Sequence, residues 1–356
     1  MSESIEEFAK HLIKNLAKRG ASDIHILPTR NRYRIYFRTS NELIEWQKVT
    51  IELGSRLIAY FKFLANMEVS EKRKPQSGAA ELEIGELQKS LRFSTITNFN
   101  YQESMVIRLL LSKQDCKLEE TTFFPKAIGE LQQLVSAKSG LILFSGPVSS
   151  GKTTTMYQLV KEQVDKKQSQ VITIEDPVEI EQPEFLQTQL NEEAGITYEV
   201  ILKASLRHHP DILIVGEIRD SQTAKNVLRG ALTGHLILAS IHAKDTEGVL
   251  LRMLELGVSL LQLQQVLLAV VSQRLIAKKC SLCKGNCHFF CTHFPHDHKK
   301  ATLYEILSYQ LLEKRLQELQ EEIFNRKQTN GFNEVLRKAY AYGYITKESY
   351  QQFQIR

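Results

Sequence analysis

No stretch of these 356 residues reaches the roughly 18 uninterrupted apolar positions that cross a bilayer; the densest run, Val266 to Val271, ends against Gln273 and Arg274. Any membrane association must therefore come through a partner. The amino terminus, MSESIEEFAKHLIKNL, carries acids and lacks the basic, apolar, small order of a secretion leader, so a cytoplasmic protein is expected. Charge of one sign is also scarce: a net +5 is far from the basic surface that phosphate-backbone binding demands, and no basic stripe with interleaved aromatics occurs. Direct DNA binding is not expected. Low-complexity tracts and internal repeats are absent, and with 42% hydrophobic and 24% charged residues the chain has material for two packed domains and a small appendage. Cysteine is sparse but concentrated: Cys280, Cys283, Cys287 and Cys291 fall within twelve residues, which in a reducing compartment favours metal binding over disulfides, while Cys116 stands alone as a small core residue.

Ser4 can cap a helix whose Ile5, Phe8, Leu12, Ile13 and Leu16 share a face, with Gly20 as its stop. SDIHILP, RYRIYFR, LRFSTIT and SMVIRLLL are short β-rich runs and SRLIAYFKFLANM is helix-like, so residues 1–112 form a small α+β domain. Polar, aperiodic 113–124 is the linker. From Pro125 strands alternate with helices: GLILFSG, QVITIED, DILIVGE and GHLILASIH are buried strands, which implies an α/β domain over 125–275 built on a parallel sheet. A cysteine-rich segment, 276–302, precedes a Leu-, Glu- and Gln-rich helical region, 303–356.

GPVSSGKT, comprising Gly146, Pro147, Val148, Ser149, Ser150, Gly151, Lys152 and Thr153, follows an apolar strand and precedes a helix that continues through Thr154. That is the setting in which a G-x-x-x-x-G-K-[ST] match is credible. Glycines let backbone N–H groups turn inward around phosphates, and the next helix presents its positive end. Lys152 supplies a cation to the β- and γ-phosphates and Thr153 a hydroxyl for Mg²⁺.

QVITIEDPVE ends a strand in Glu175 and Asp176, so both carboxylates emerge at the carboxyl edge where α/β folds bind ligands, or else form a solvated strand-end pair. ILIVGEIRD places Glu217 after a second strand, where a carboxylate can deprotonate water for in-line attack on a γ-phosphate. His235 and His242 bracket a further strand; each is either an ordinary structural histidine or an imidazole that senses the γ-phosphate.

GPVSSGKT, ITIEDPVE, VGEIRD and TGHLILASIHAKD, in this order and spacing, resemble the Walker A, Asp box, atypical Walker B and His box of the secretion and type IV pilus ATPases. ASDIHI, KPQSG, LRFST and VIRLL upstream, and VSQRL and LYEIL downstream, extend the resemblance over most of the chain; Ser77 stands where the proline-glutamine motif usually has an acid. The resemblance implies a homo-hexamer of RecA-like ATPase domains, each preceded by a PAS-like domain, working on a polytopic membrane platform protein at the cytoplasmic face of the membrane. It assigns Glu217, Lys152 and His235 to catalysis, Glu175, Asp176 and His242 to the nucleotide, and Arg92 and Arg108 to arginine fingers, whose guanidinium forks suit a spreading phosphoryl charge. Assembly motors of the family carry two zinc-binding CxxC pairs before a (I/L)YE segment. Here C-x2-C-x3-C-x3-C is compressed, and either four thiolates, or three with His288 or His293, hold zinc, or the thiols stay unliganded. With no extra docking domain expected at the amino terminus, the chain is most similar to the ATPases of Gram-positive competence pseudopili, which power pseudopilus assembly for DNA uptake in transformation. A retraction motor and a nucleotide-gated scaffold are the alternatives.

Overall fold

Ser4 opens the first helix with a reciprocal cap: its hydroxyl accepts from the Glu7 amide while the Glu7 carboxylate accepts from the Ser4 amide. The helix it starts, α1 (Ile5–Lys18), buries Ala9, Leu12, Ile13 and Leu16. The computed structural model describes residues 4–39, 42–84, 87–109, 117–191, 194–286, 291, 293–294, 298–321 and 331–355. Two units are present, Met1–Gln114 and Asp115–Arg356.

In the first unit β1 (Asp23–Pro28), β2 (Tyr33–Thr39), β3 (Glu42–Val49), α2 (Ile51–Leu64), β4 (Gln76–Ile84), β5 (Leu87–Thr97) and β6 (Glu103–Leu109) follow α1. The strands form one antiparallel sheet in the order β3-β2-β1-β6-β5-β4. Alternation buries Ile24 and Ile26, Ile35 and Phe37, Leu91 and Phe93, and Met105 and Ile107 on one face. The two strands that the sequence pattern does not reveal, β3 and β4, are the edges of this sheet; ELIEWQKV and QSGAAELEI carry the charge that protects edges from further pairing. Lys62 is fully buried on α2. Its ammonium donates to Glu103 Oε1 at 2.8 Å and to the Glu71 carbonyl.

The second unit opens with a 3-10 turn, Leu118–Thr121, and continues through α3 (Lys126–Val135), β7 (Gly140–Ser145), α4 (Lys152–Lys166), β8 (Val171–Glu175), β9 (Leu186–Gln189) and α5 (Tyr198–Arg207). Then come β10 (Ile212–Val215), α6 (Ser221–Leu232), β11 (Leu236–Ile241), α7 (Thr246–Glu255), α8 (Leu260–Val266) and β12 (Leu267–Ala277). A small hairpin of β13 (Lys279–Cys280) and β14 (Gly285–Asn286) precedes β15 (Lys300–Ser308), α9 (Tyr309–Gln320), α10 (Gly331–Ala341) and α11 (Lys347–Phe353). The sheet runs β15-β12-β7-β11-β10-β8-β9, parallel throughout except where β15 pairs antiparallel with β12. This α/β architecture is the expected class, with a mixed rather than wholly parallel sheet. Leu141, Leu143, Leu213, Val215, Ile237 and Ala239 belong to the apolar core on one face, and Ile142, Phe144, Ile212, Ile214 and Leu238 to the other, which is why these strands read as unbroken apolar runs.

Residues 303–356 are not wholly helical. Leu303 to Ser308 belong to β15, and the sheet thus extends past the 125–275 span read as the nucleotide domain. The reason is packing: Ala301 and Leu303 join Ile276 of β12 and Phe332 and Leu336 of α10 in a third core. Buried Glu305 on β15 accepts from Thr246 Oγ1 at 2.9 Å at the start of α7, and burial raises its carboxyl to about 7.

Glu103→Ala strands the Lys62 ammonium and lowers stability in denaturant unfolding by about 3–5 kcal/mol, while replacing the pair together (Lys62→Met with Glu103→Leu) costs far less. Because the Glu305 carboxyl is raised from 4.5 to about 7, the folded state holds the extra proton between those values, so its stabilising contribution is complete below 4.5 and disappears as pH climbs to 7. Unfolding free energies measured across that window should fall with rising pH more steeply for wild type than for Glu305→Gln.

Candidate nucleotide and metal sites

Parallel register decides what meets at the carboxyl edge of the sheet. Ser145 on β7 is level with Ile241 on β11 and with Ser272 on β12, so the chain leaves three adjacent strands at one height. After Ser145 the loop turns at Gly146 (φ 148°), Ser149 (φ 60°) and Gly151 (φ 86°), conformations in which glycine carries no Cβ penalty and serine a modest one. A Cβ on Gly146 would lie 2.4 Å from the Gln273 carbonyl oxygen. Gly151 is the cap of α4, and the free amides of that helix's first turn face the loop. Pro147 and exposed Val148 form the loop's tip, and Ser150 is buried. Lys152 Nζ donates to the Gly146 carbonyl at 2.9 Å and the Pro147 carbonyl at 3.2 Å; burial lowers its pKa, opposed by Glu217 and Glu179. Thr153 Oγ1 donates to Glu179 Oε2 at 3.1 Å, and Thr154 is half-buried beside it.

Glu217 sits between two nitrogen-bearing side chains. His242 Nε2 is 3.2 Å from its Oε1, and Arg219 Nε donates to its Oε2 at 2.7 Å. Arg219 also donates through Nη1 to Asp176 Oδ2 at 3.2 Å, which links the ends of β8, β10 and β11 in one chain of polar contacts. Arg219 and Glu179 are not singled out by sequence reasoning. The signal was available in VGEIRD and EDPVE, where Arg219 stands two residues past Glu217 and Glu179 three past Asp176.

Two expected site residues lie elsewhere. Glu175 does not emerge at the edge: it is buried, accepts from the Tyr157 hydroxyl and from Thr173 Oγ1 at 2.8 Å, and burial raises its pKa. His235 precedes Leu236, which is level with Gly140 at the start of β7, so it lies at the opposite edge from the phosphate loop, with Nδ1 3.2 Å from the Gly230 carbonyl. A catalytic place beside this loop is therefore corrected for His235; the six residues of β11 separate it from His242. Arg92 and Arg108 belong to the first unit, where they face each other across β5 and β6, and Arg108 Nε donates to Asp23 Oδ1 at 2.9 Å.

The cysteine segment brings together Cys280, Cys283, Cys291 and His293, whose ligand atoms all lie within 4.8 Å of one another. His293 Nδ1 is 3.5, 3.4 and 3.1 Å from the three sulfurs, and Cys283 Sγ is 3.4 Å from Cys291 Sγ. Ligands at tetrahedral corners about 2.3 Å from zinc stand roughly 3.8 Å apart, so the set fits that ion. Hydrogen bonding among the crowded thiols, led by that which Cys283 donates to Cys291, pushes Cys283 up to about 11, a cost that a cation would reverse. Cys287 and His288 lie outside the described residues.

No helix among the described residues is long and apolar enough to cross a membrane. Over residues 1–341 the sequence matches the family model described as type II/IV secretion system protein. It is 37% identical to competence protein ComGA of Bacillus subtilis over 99% of this chain and 98% of the relative. Identity to ComGA of Streptococcus pneumoniae is 44%, over 76% of this chain and 85% of the relative. The type IV pilus assembly ATPase PilB of Thermus thermophilus is 36% identical over 78% of this chain but 31% of its own length. In fold, the pilus retraction motor PilT superposes with a TM-score of 0.71 at 23% identity, covering 98% of this chain and 97% of that one. The Legionella pneumophila ATPase DotB superposes with a TM-score of 0.75 at 18% identity, over 97% and 94%. With a strand, phosphate loop and helix at the head of a mostly parallel sheet and a family match spanning both units, this chain belongs to the type II/IV secretion system ATPase family.

Proposed function

We propose that this chain is the Mg-ATP-hydrolysing motor of a competence pseudopilus, working as a homo-hexamer against a polytopic membrane platform protein on the cytoplasmic face of the membrane and serving DNA uptake without touching DNA itself. The observation that carries the chemistry is the convergence of the phosphate loop, Glu179, Asp176, Arg219, Glu217 and His242 on one sheet edge; extended similarity to ComGA proteins supports the biological setting.

In this reading the turned-in amides of residues 146–151 and the start of α4 bind the phosphates, and Lys152 exchanges its loop carbonyls for phosphate oxygens. Thr153 and Glu179, two hard oxygen donors 3.1 Å apart, suit Mg²⁺, which neutralises phosphate charge when bound. Glu217 accepts the proton of an attacking water. His242 and Arg219 hold its two oxygens, so the carboxylate is aimed before substrate arrives. Arg92 and Arg108 act as arginine fingers in the ring, their guanidinium forks matched to the transferring phosphoryl group. Cys280, Cys283, Cys291 and His293 hold a structural zinc, as suits an assembly motor.

Steady-state phosphate release checks the first part. Glu217→Gln should lower kcat by about 10²–10⁴ with nucleotide affinity kept within a few-fold, and Lys152→Ala should abolish binding; equal, near-zero rates for wild type and both variants would sink the motor reading. Elemental analysis checks the second. One zinc per chain is expected in wild type and in Cys287→Ser, with loss in Cys291→Ser; a metal-free wild type, or loss in Cys287→Ser, contradicts the ligand set.

A further inference from the structure

VSQRL and LYEIL carry part of the sequence resemblance yet take no part in the chemistry above. The structure lays them side by side as β12 and β15, with Gln273 opposite Tyr304 and Ser272 opposite Glu305. Since Ser272 is also level with Ser145, Gln273 stands directly beyond the point where β7 becomes the phosphate loop.

Gln273 is fully buried, and its Nε2 donates to the Ser150 carbonyl at 2.7 Å. Its backbone carbonyl is the atom that excludes any side chain at Gly146, and a Cβ on Gly151 would meet its amide nitrogen at 3.5 Å. Across the strand pair the buried Tyr304 hydroxyl is 3.1 Å from Thr155 Oγ1 in the first turn of α4. The loop is thus held at both ends of its glycine-lysine step, from below, by two neighbouring strands.

Arg274 is the next residue; strand alternation starts its side chain on the other face, and its Nη1 curls back to within 3.4 Å of where a Cβ on Gly146 would stand. There its Nη2 donates to the Lys244 carbonyl and its Nη1 to the Gln273 carbonyl at 3.1 Å, with the guanidinium 5.2 Å from the centre of the Phe332 ring on α10. Lys244 is two residues past His242. Glu305, also on this side, holds Thr246 at the start of α7.

A core whose only task was stability would fill these positions with apolar groups. Here Gln273 Oε1 and Ser150 Oγ are buried without a hydrogen-bond partner among the described residues, an arrangement that costs stability and is expected where position matters more. We infer that Gln273 and Arg274 are positioning residues for ATP hydrolysis: Gln273, with Tyr304, sets the phosphate loop, and Arg274, with Glu305 and Phe332, sets the segment that carries His242. One dipeptide of β12 therefore fixes the spacing between the loop that grips phosphate and the histidine that holds Glu217. The inference rests on the nucleotide-site reading and adds a division of labour to it.

The full chain carrying Gln273→Met or Arg274→Lys tests it, by phosphate release, calorimetry with MgADP and nucleotide-free melting. Gln273→Met should raise KM for MgATP and Kd for MgADP about five-fold, roughly the worth of one hydrogen bond, with kcat within about two-fold. Arg274→Lys should lower kcat about ten-fold with KM within about two-fold. If both variants shift KM and kcat in the same proportion and in step with lost melting temperature, or if Gln273→Met keeps wild-type affinity, the inference is overturned. Should Gln273→Met not fold, Tyr304→Phe decides, since it deletes one oxygen: a rise of about three-fold in Kd with unchanged kcat supports the inference and an unchanged Kd refutes it. A wild type that binds no MgADP would instead condemn the nucleotide site itself.

Discussion

The chemistry of this molecule hangs on parallel strand register. Ile214 is level with Thr173, Val215 with Ala239, and Ile241 with Ser145 and Ser272, so five strands deliver their outgoing loops at nearly one height. Counting two residues past Val215 reaches Glu217, and two past Ile174 reaches Asp176, the level of Ile241 and Ser145, after which His242 and Gly146 follow. No single side chain makes that site. Backbone hydrogen bonds between strands do, and a slip by one residue would turn every one of these groups to the wrong face.

Charge then organises what register has gathered. Arg219 stands between the acids Glu217 and Asp176, His242 meets the second oxygen of Glu217, and Thr153 with Glu179 closes the other flank. An acid gripped on both oxygens loses rotational freedom, which is what the base role proposed for Glu217 requires. Buried Glu175 serves the opposite end of this logic: bonded to Tyr157 and Thr173, it ties β8 to α4 and leaves Asp176 as the exposed acid of the pair.

Much of this was legible in the residues. The phosphate loop and its flanking strand and helix follow from glycine spacing and one apolar run, and the strands β7, β8, β10 and β11 read as continuous apolar segments because both faces are covered. Other parts were hidden for definable reasons. Strands β12 and β15 contain Ser272, Gln273, Arg274 and Glu305, all buried, so polar letters mask core positions. Edges β3 and β4 carry charge, which makes them look like connections. His235 and Glu175 illustrate a different limit: a motif says that a residue accompanies a site, while only register and burial say at which end of a strand it lies.

The antiparallel placement of β15 has a consequence for how the protein comes into being. Because Tyr304 braces the start of α4, behind the phosphate loop, from 149 residues downstream, a chain emerging from the ribosome has its nucleotide motif long before it has the floor beneath it. Until residues 300–308 are synthesised, β12 offers an open edge to solvent and to other nascent chains. Productive birth of this protein is therefore a matter of shielding one unfinished strand for the time that translation takes to reach its partner.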